Sequence, residues 1–222
     1  KKAHYDKAYT RAYTTEVVQG KHGVKIISHA SVVAETVQKI LDVTITWKIE
    51  AAGKIDADIA VTKDDEFPDL PRFGVRMFLD KKLSAVRYFG MGPQESYCDK
   101  HQAASHGLYR ADVGDLHEDY IRPQENGSHY DCEYVELNNS RYGIVVSAEN
   151  AFSFNASYYT QEELEEKTHN YELIESDSVV FCVDYALNGI GSNSCGPVVL
   201  DQYRFDDVLF RFQFTLIPYV KG

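Results

Sequence analysis

Apolar residues recur at every second position over long stretches of this chain. Val43, Ile45, Trp47 and Ile49 alternate with Asp42, Thr44, Thr46 and Lys48, and Ile55, Ala57, Ile59 and Val61 repeat the pattern after a turn at Ala52-Gly53. Near the end, Val208, Phe210, Phe212, Phe214 and Leu216 alternate with Arg211, Gln213 and Thr215. Successive side chains of a strand point to opposite faces, so this period puts one face in a core and leaves the other in water, as in antiparallel sheets. The same reasoning predicts strands over 11–18, 24–33, 74–79, 83–89, 129–137, 142–148, 151–157 and 178–186. Only two stretches argue for helix. Residues 160–170 open with Thr160 and carry Glu163 three positions on, a capping box, while 99–105 would stop at Gly107. With no linker, low-complexity tract or repeat, the expectation is an all-β fold over residues 1–222, a single domain of two packed sheets with one or two short helices.

Composition changes this picture little. The chain has 222 residues, enough to bury a sizeable core without disulfides. Its 16 Tyr and 11 Phe favour strands. Acidic residues outnumber basic ones, 34 to 23, and the Lys and Arg are scattered, which argues against a nucleic-acid partner. No apolar run approaches the ~20 residues that span a bilayer as a helix, so no membrane partner is expected. Cys98, Cys132, Cys182 and Cys195 are far apart, with no C-x-x-C pair. Reduced thiols, and hence a cytoplasmic location, are the expectation.

Catalytic signatures are scarce. The sequence has no phosphate-binding glycine loop, no G-x-S-x-G elbow and no H-E-x-x-H zinc helix. Glycoside hydrolysis needs two carboxylates, and Glu95 and Glu125 are the tempting pair. The competing reading is structural. Each follows Pro-Gln, and Asn126-Gly127 is a turn signal, so these acids suit backbone hydrogen bonds that lock loops. The segment 188–197 differs in kind. It places three glycines among Asn, Ser and Cys between two strands, a composition that suits contact with a hydroxyl-rich ligand at a sheet rim.

These segments resemble the C-terminal domain of the long bacterial β-galactosidases of glycoside hydrolase family 2. Pro71-Arg72-Phe73-Gly74-Val75-Arg76 is similar to that domain's Pro-Arg-Ile-Gly-Leu-Arg strand. Residues 89–99, from Phe89 through Gly92-Pro93-Gln94-Glu95 to Asp99, resemble its Gly-x-Gly-Pro-x-Glu-Asn-Tyr-x-Asp motif, and Pro-Gln-Glu-Asn-Gly at 123–127 matches outright. Phe152-Ser153-Phe154, Tyr159-Thr160, Glu163-Leu164, His169, Gly189-Ile190-Gly191 and the strand from Phe212 to Pro218 follow in the family's order.

The resemblance implies a large antiparallel β-supersandwich of the galactose mutarotase-like kind. It also implies a parent enzyme that hydrolyses terminal β-D-galactosides such as lactose with retention, acting as a homo-oligomer and using Mg and Na bound by other domains. The catalytic glutamates lie upstream, so no catalytic residue, metal ligand or cofactor is expected here and the isolated fragment should be inactive. The chain opens Lys-Lys-Ala-His, downstream of where the family's domain begins, so its first strands are expected to be missing and one sheet edge exposed. Asn193, Ser194 and Cys195 carry over as substrate-side loop residues, with Cys195 where some members place a Trp platform. Two other functions compete: a stand-alone carbohydrate-binding module, and an aldose-epimerase-like enzyme for which Glu125 and His129 would be the acid and base.

Overall fold

The computed structural model describes residues 3–34, 37–191 and 198–222. Among them are eleven strands: β1 (Tyr9–Gln19), β2 (Gly23–Ala34), β3 (Val37–Glu50), β4 (Ile55–Lys63), β5 (Arg72–Asp80), β6 (Ala85–Gly92), β7 (Ser105–Asp112), β8 (Ser128–Asn138), β9 (Tyr142–Ser157), β10 (Ser178–Leu187) and β11 (Leu209–Val220). One α-helix, α1 (Gln161–Glu166), and a few 3₁₀ turns complete the described residues. The chain is all-β and antiparallel, consistent with a β-sandwich. Contacts divide it into two compact units, Lys1–Leu70 with Asp206–Pro218, and Pro71–Phe205 with Tyr219–Gly222.

In the first unit the strands follow one another as neighbours, β1-β2-β3-β4, and β11 pairs with β4. The alternation predicted its core. Ala57, Ile59 and Val61 on β4 are buried, as are Phe210, Phe212, Phe214 and Leu216 on β11. Phe212 stands opposite Ile59 in register, and Trp47 meets Phe214 edge-on at 6.1 Å. The outer face carries Arg211 bonded through its guanidinium to Asp58. At the other end β1 pairs with β2 and is exposed along its whole length, with Tyr9, Tyr13, Val17 and Val18 in solvent.

The second unit orders its strands β5-β10-β9-β8-β6-β7. Its centre is aromatic: the Phe154 ring lies 5.0 Å from both Tyr88 and His129 and 6.5 Å from Phe181, all four nearly inaccessible to solvent. Two expectations need correction here. Residues 142–148 and 151–157 form one 16-residue strand, not two. The register passes from Tyr134↔Ser147 to Cys132↔Phe152, so residues 148–151 bulge opposite a single residue of β8 and the strand resumes without turning back. The second predicted helix, 99–105, does not form. Tyr97 and Lys100 exchange backbone bonds, Ala104 N–H donates to the His101 carbonyl, and the chain then extends from Ser105 as β7. Gly107 lies mid-strand opposite Gly90, because pairing with β6 offers these residues a full ladder that an isolated two-turn helix cannot match. The helix after Thr160 does form, though shorter than the pattern suggested. The Thr160 hydroxyl accepts from the Glu163 N–H at 3.1 Å, and the helix ends at Glu166.

Removing the Phe154 ring leaves a cavity in a closed aromatic cluster. Phe154→Ala should therefore lower unfolding free energy by about 3–5 kcal/mol, whereas Val17→Lys on exposed β1 should stay within about 0.5 kcal/mol. Urea unfolding of both variants checks the contrast.

Candidate functional site

The loops at one end of the second unit are tied together by acids. β6 ends at Gly92 and passes through a cis Gly92–Pro93 bond into Glu95, whose side chain is 6% exposed. One Glu95 oxygen accepts from the Lys100 ammonium and the Tyr120 hydroxyl. The other accepts from the Gly127 N–H at 2.9 Å and from the Tyr97 hydroxyl at 3.5 Å. Burial alone would push this carboxyl up, but these donors outweigh it and hold its pKa below the usual carboxylate range. Gly127 is at φ 71°, and a Cβ there would lie 2.4 Å from the Leu116 carbonyl, so the turn that presents its N–H to Glu95 admits only glycine. Asn126 completes the loop, its side-chain oxygen accepting from Glu118 N–H and its amide donating to the Gln124 carbonyl.

Beneath this loop lies a charged cluster. Arg72, the first residue of β5, donates through Nε and Nη2 to Asp184 on β10, at 3.2 and 2.5 Å, and through Nη1 to Glu125 at 3.2 Å. The Asp184 side chain is 3% exposed. Its Oδ1 occupies the space a side chain at Gly74 would need, 2.3 Å from an ideal Cβ, which is why a glycine follows Arg72-Phe73. Burial works against the guanidinium charge, but Asp184 and Glu125 outweigh it and raise the pKa of Arg72. Glu125 is pushed the other way from Glu95. Burial raises its pKa, Arg72 opposes only in part, and Asp184 and Glu95 add to the rise. Its Oε1 is buried without a hydrogen-bond partner among the described residues.

A third acid anchors the glycine-rich segment. Asp99 accepts from Ile190 N–H at 3.1 Å and from Gly191 N–H at 2.6 Å. Around it, Asn188 N–H donates to the Pro71 carbonyl, Gly189 N–H to the Tyr203 carbonyl, and Phe205 N–H to the Asn188 side-chain oxygen. Thus β5, the 95–101 turn and the 198–205 segment all fix the base of this loop. Asn193, Ser194 and Cys195 lie outside the described residues.

The structure therefore puts Glu95 and Glu125 to work on neighbouring loops and on Arg72, the structural use that their Pro-Gln-Glu settings suggested. It does not bring Glu125 and His129 together as acid and base. His129 is 1% exposed and packed between Tyr88 and Phe154, and its Nδ1 lies 3.3 Å from the Met91 carbonyl. Burial lowers its pKa to about 4, so it is neutral and sealed from any substrate. Cys98, Cys132 and Cys182 are free thiols, and among the described residues no three His, Cys, Asp or Glu gather closely enough to hold a metal ion. Asp99 and Arg72 were not singled out from the sequence. Each sits inside a motif that carries the family resemblance, which is the signal that could have found them.

A family model described as "Beta galactosidase small chain" matches residues 1–216. The chain belongs to the β-galactosidase small-chain family. It is 48% identical over 215 residues to the β-galactosidase of Actinobacillus pleuropneumoniae, covering 97% of this chain and 21% of that protein. The β-galactosidase of Staphylococcus xylosus is 35% identical over 212 residues (96% and 21%), and that of Kluyveromyces lactis 32% over 211 (89% and 20%). This small-chain sequence thus spans about a fifth of the length of these relatives. Among solved structures, a lysyl oxidase of Pichia pastoris overlaps 96% of the chain and 38% of its own, at 14% identity; its TM-score of 0.31 carries no argument.

Glu95→Gln tests the loop clamp. An amide would turn donors either toward Lys100 and Tyr120 or toward the Gly127 N–H, so about 1–3 kcal/mol should be lost at neutral pH. A carboxyl whose folded pKa lies below its ordinary value near 4.5 stabilises fully above that value, and the benefit is lost as pH falls through the folded pKa. The gap between wild type and variant should accordingly be full at pH 7 and close in acid. Urea midpoints across pH read it directly.

Proposed function

We propose that this chain is the C-terminal portion of a β-galactosidase of glycoside hydrolase family 2, an enzyme that cleaves terminal β-D-galactose from substrates such as lactose with retention. In this reading it is a non-catalytic part that completes the substrate pocket. The acid, the nucleophile and the Mg and Na sites belong to other domains or to a large subunit, and the parent works as a cytoplasmic homo-oligomer. The family match supports the reading, as do the three β-galactosidase relatives.

The observation that carries it is the pair of N–H bonds that Asp99 receives from Ile190 and Gly191. A motif shared with the family thus fixes Ile190 and Gly191, the residues that lead into 192–197. Asn193, Ser194 and Cys195 follow in the sequence and are assigned the contact with the sugar beyond galactose. Cys195 stands where some members carry an aromatic platform, and a thiol cannot supply the stacking of about 0.5–1.5 kcal/mol that an aromatic face offers.

Two measurements test this. The 222-residue chain alone should release no nitrophenol from a nitrophenyl β-galactoside, while the parent enzyme that contains it should do so. In that parent, Cys195→Trp should lower KM for the acceptor sugar by about threefold to tenfold. An unchanged acceptor KM would remove the loop from the subsite.

A further inference from the structure

On the outer face of β8, β6 and β7, within the second unit, lies an open cleft of about 700 Å³. That is within the range of small-molecule sites. The register explains what lines it. Arg87 on β6 stands opposite Arg110 on β7 and Glu136 on β8, and one rung along, Ala85 stands opposite Asp112 and Asn138. All project from the same face, with small Ala85 forming the low point between longer neighbours. Asp115 and Lys221 close the sides.

Placing two guanidinium-bearing residues directly across an antiparallel pair costs stability. The surroundings relieve it only in part. Arg87 has Glu136 at 3.9 Å, a loose contact, because the Tyr219 hydroxyl holds the other oxygen of that carboxylate. Arg110 forms no hydrogen bond or ion pair among the described residues, and Asp112 and Asp115 accept no hydrogen bond there. Lys221, by contrast, is fixed on the Asn138 side chain and the Asn139 carbonyl. The cleft thus offers an unused planar donor group and two unused carboxylates, within reach of groups already held in place.

Charge selects the class of ligand. Arg87, Arg110 and Lys221 balance Asp112, Asp115 and Glu136, three positive against three negative, so neither a phosphate nor a cation is favoured. Donors and acceptors side by side with no net charge suit vicinal hydroxyls. On the next rung along the same face Leu108 is exposed and offers apolar surface to a ring's C–H side, while the Tyr134 ring already lies under the Arg87 guanidinium at 5.9 Å. We propose that this cleft is an accessory site for a neutral sugar, with Arg110 and Asp112 as its principal hydrogen-bonding residues. It is separate from the glycine-rich segment and does not depend on that segment's role.

Ligand-observed NMR with the 222-residue chain and lactose tests the assignment. The expected result is saturable binding with Kd of about 1–10 mM, weakened about tenfold in Arg110→Ala and in Asp112→Ala, and retained in an Asn193→Ala/Cys195→Ala double variant. Arg110→Lys, which keeps the charge but not the fork, should also weaken it. Circular dichroism confirms that the exposed substitutions leave the fold intact. Absence of saturable binding would overturn the proposal, as would a preference for galactose 6-phosphate over lactose. Binding lost in the double variant but kept in Arg110→Ala would also overturn it. That last result would assign the sugar to the glycine-rich segment, so this proposal and the reading of that segment can fail independently.

Discussion

Arg72, at the start of the second unit's sequence, holds one carboxylate from its middle and one from near its end, and so ties together three segments that the chain reaches far apart. Asp184 is almost wholly out of solvent and receives two of the guanidinium's donors; Glu125 receives a third. Bringing such charges out of water is costly, and the mutual attraction offsets it only when geometry and hydrogen bonds are good. Removing one partner from a buried pair leaves an uncompensated charge, a loss of about 3–5 kcal/mol. Its value here is also positional. It joins the start of β5, β10 and the 123–127 loop.

From this footing the acids divide the work. Glu95 fixes the turn at Gly127 with four donors converging on its two oxygens, and Asp99 fixes Ile190 and Gly191. Both belong to the twelve-residue stretch between β6 and β7, so a single connection sets the positions of two other loops. Carboxylates suit this task because each can accept several N–H and O–H groups at once, whereas an amide must donate as well. Paired acids invite a catalytic reading. In this chain their partners are backbone N–H groups, tyrosine hydroxyls, Lys100 and Arg72, and their chemistry is that of clamps.

Much of the fold was legible in the chain because a half-buried strand writes its period directly into sequence. Phe210, Phe212, Phe214 and Leu216 are buried as their alternation indicated, and the Thr160 cap forms with Glu163. What was missed depends on partners distant in sequence. Residues 99–105 look helical in isolation, and only the ladder offered by β6 draws the following segment into β7. The pattern breaks into two strands, 142–148 and 151–157, and only the register against β8 shows one strand with a bulge. The link from Arg72 to Asp184 spans 112 positions, beyond the reach of any local pattern. The acids at 95 and 125 were readable as loop clamps from their Pro-Gln-Glu settings, but which groups they clamp was not.

The strand order also governs how this chain can be made. β5 has no partner among the described strands other than β10, and β4 meets β11 only across some 150 positions of sequence. A ribosome therefore delivers β5 long before β10, and β4 long before β11. Non-local pairing of this kind folds slowly and leaves strand edges open meanwhile. The charged ends of β5 are Arg72 and Asp80. In the folded chain each is matched from far along the sequence, Arg72 by Asp184 and Asp80 by the Tyr142 hydroxyl, so both must stay hydrated until those partners have been made.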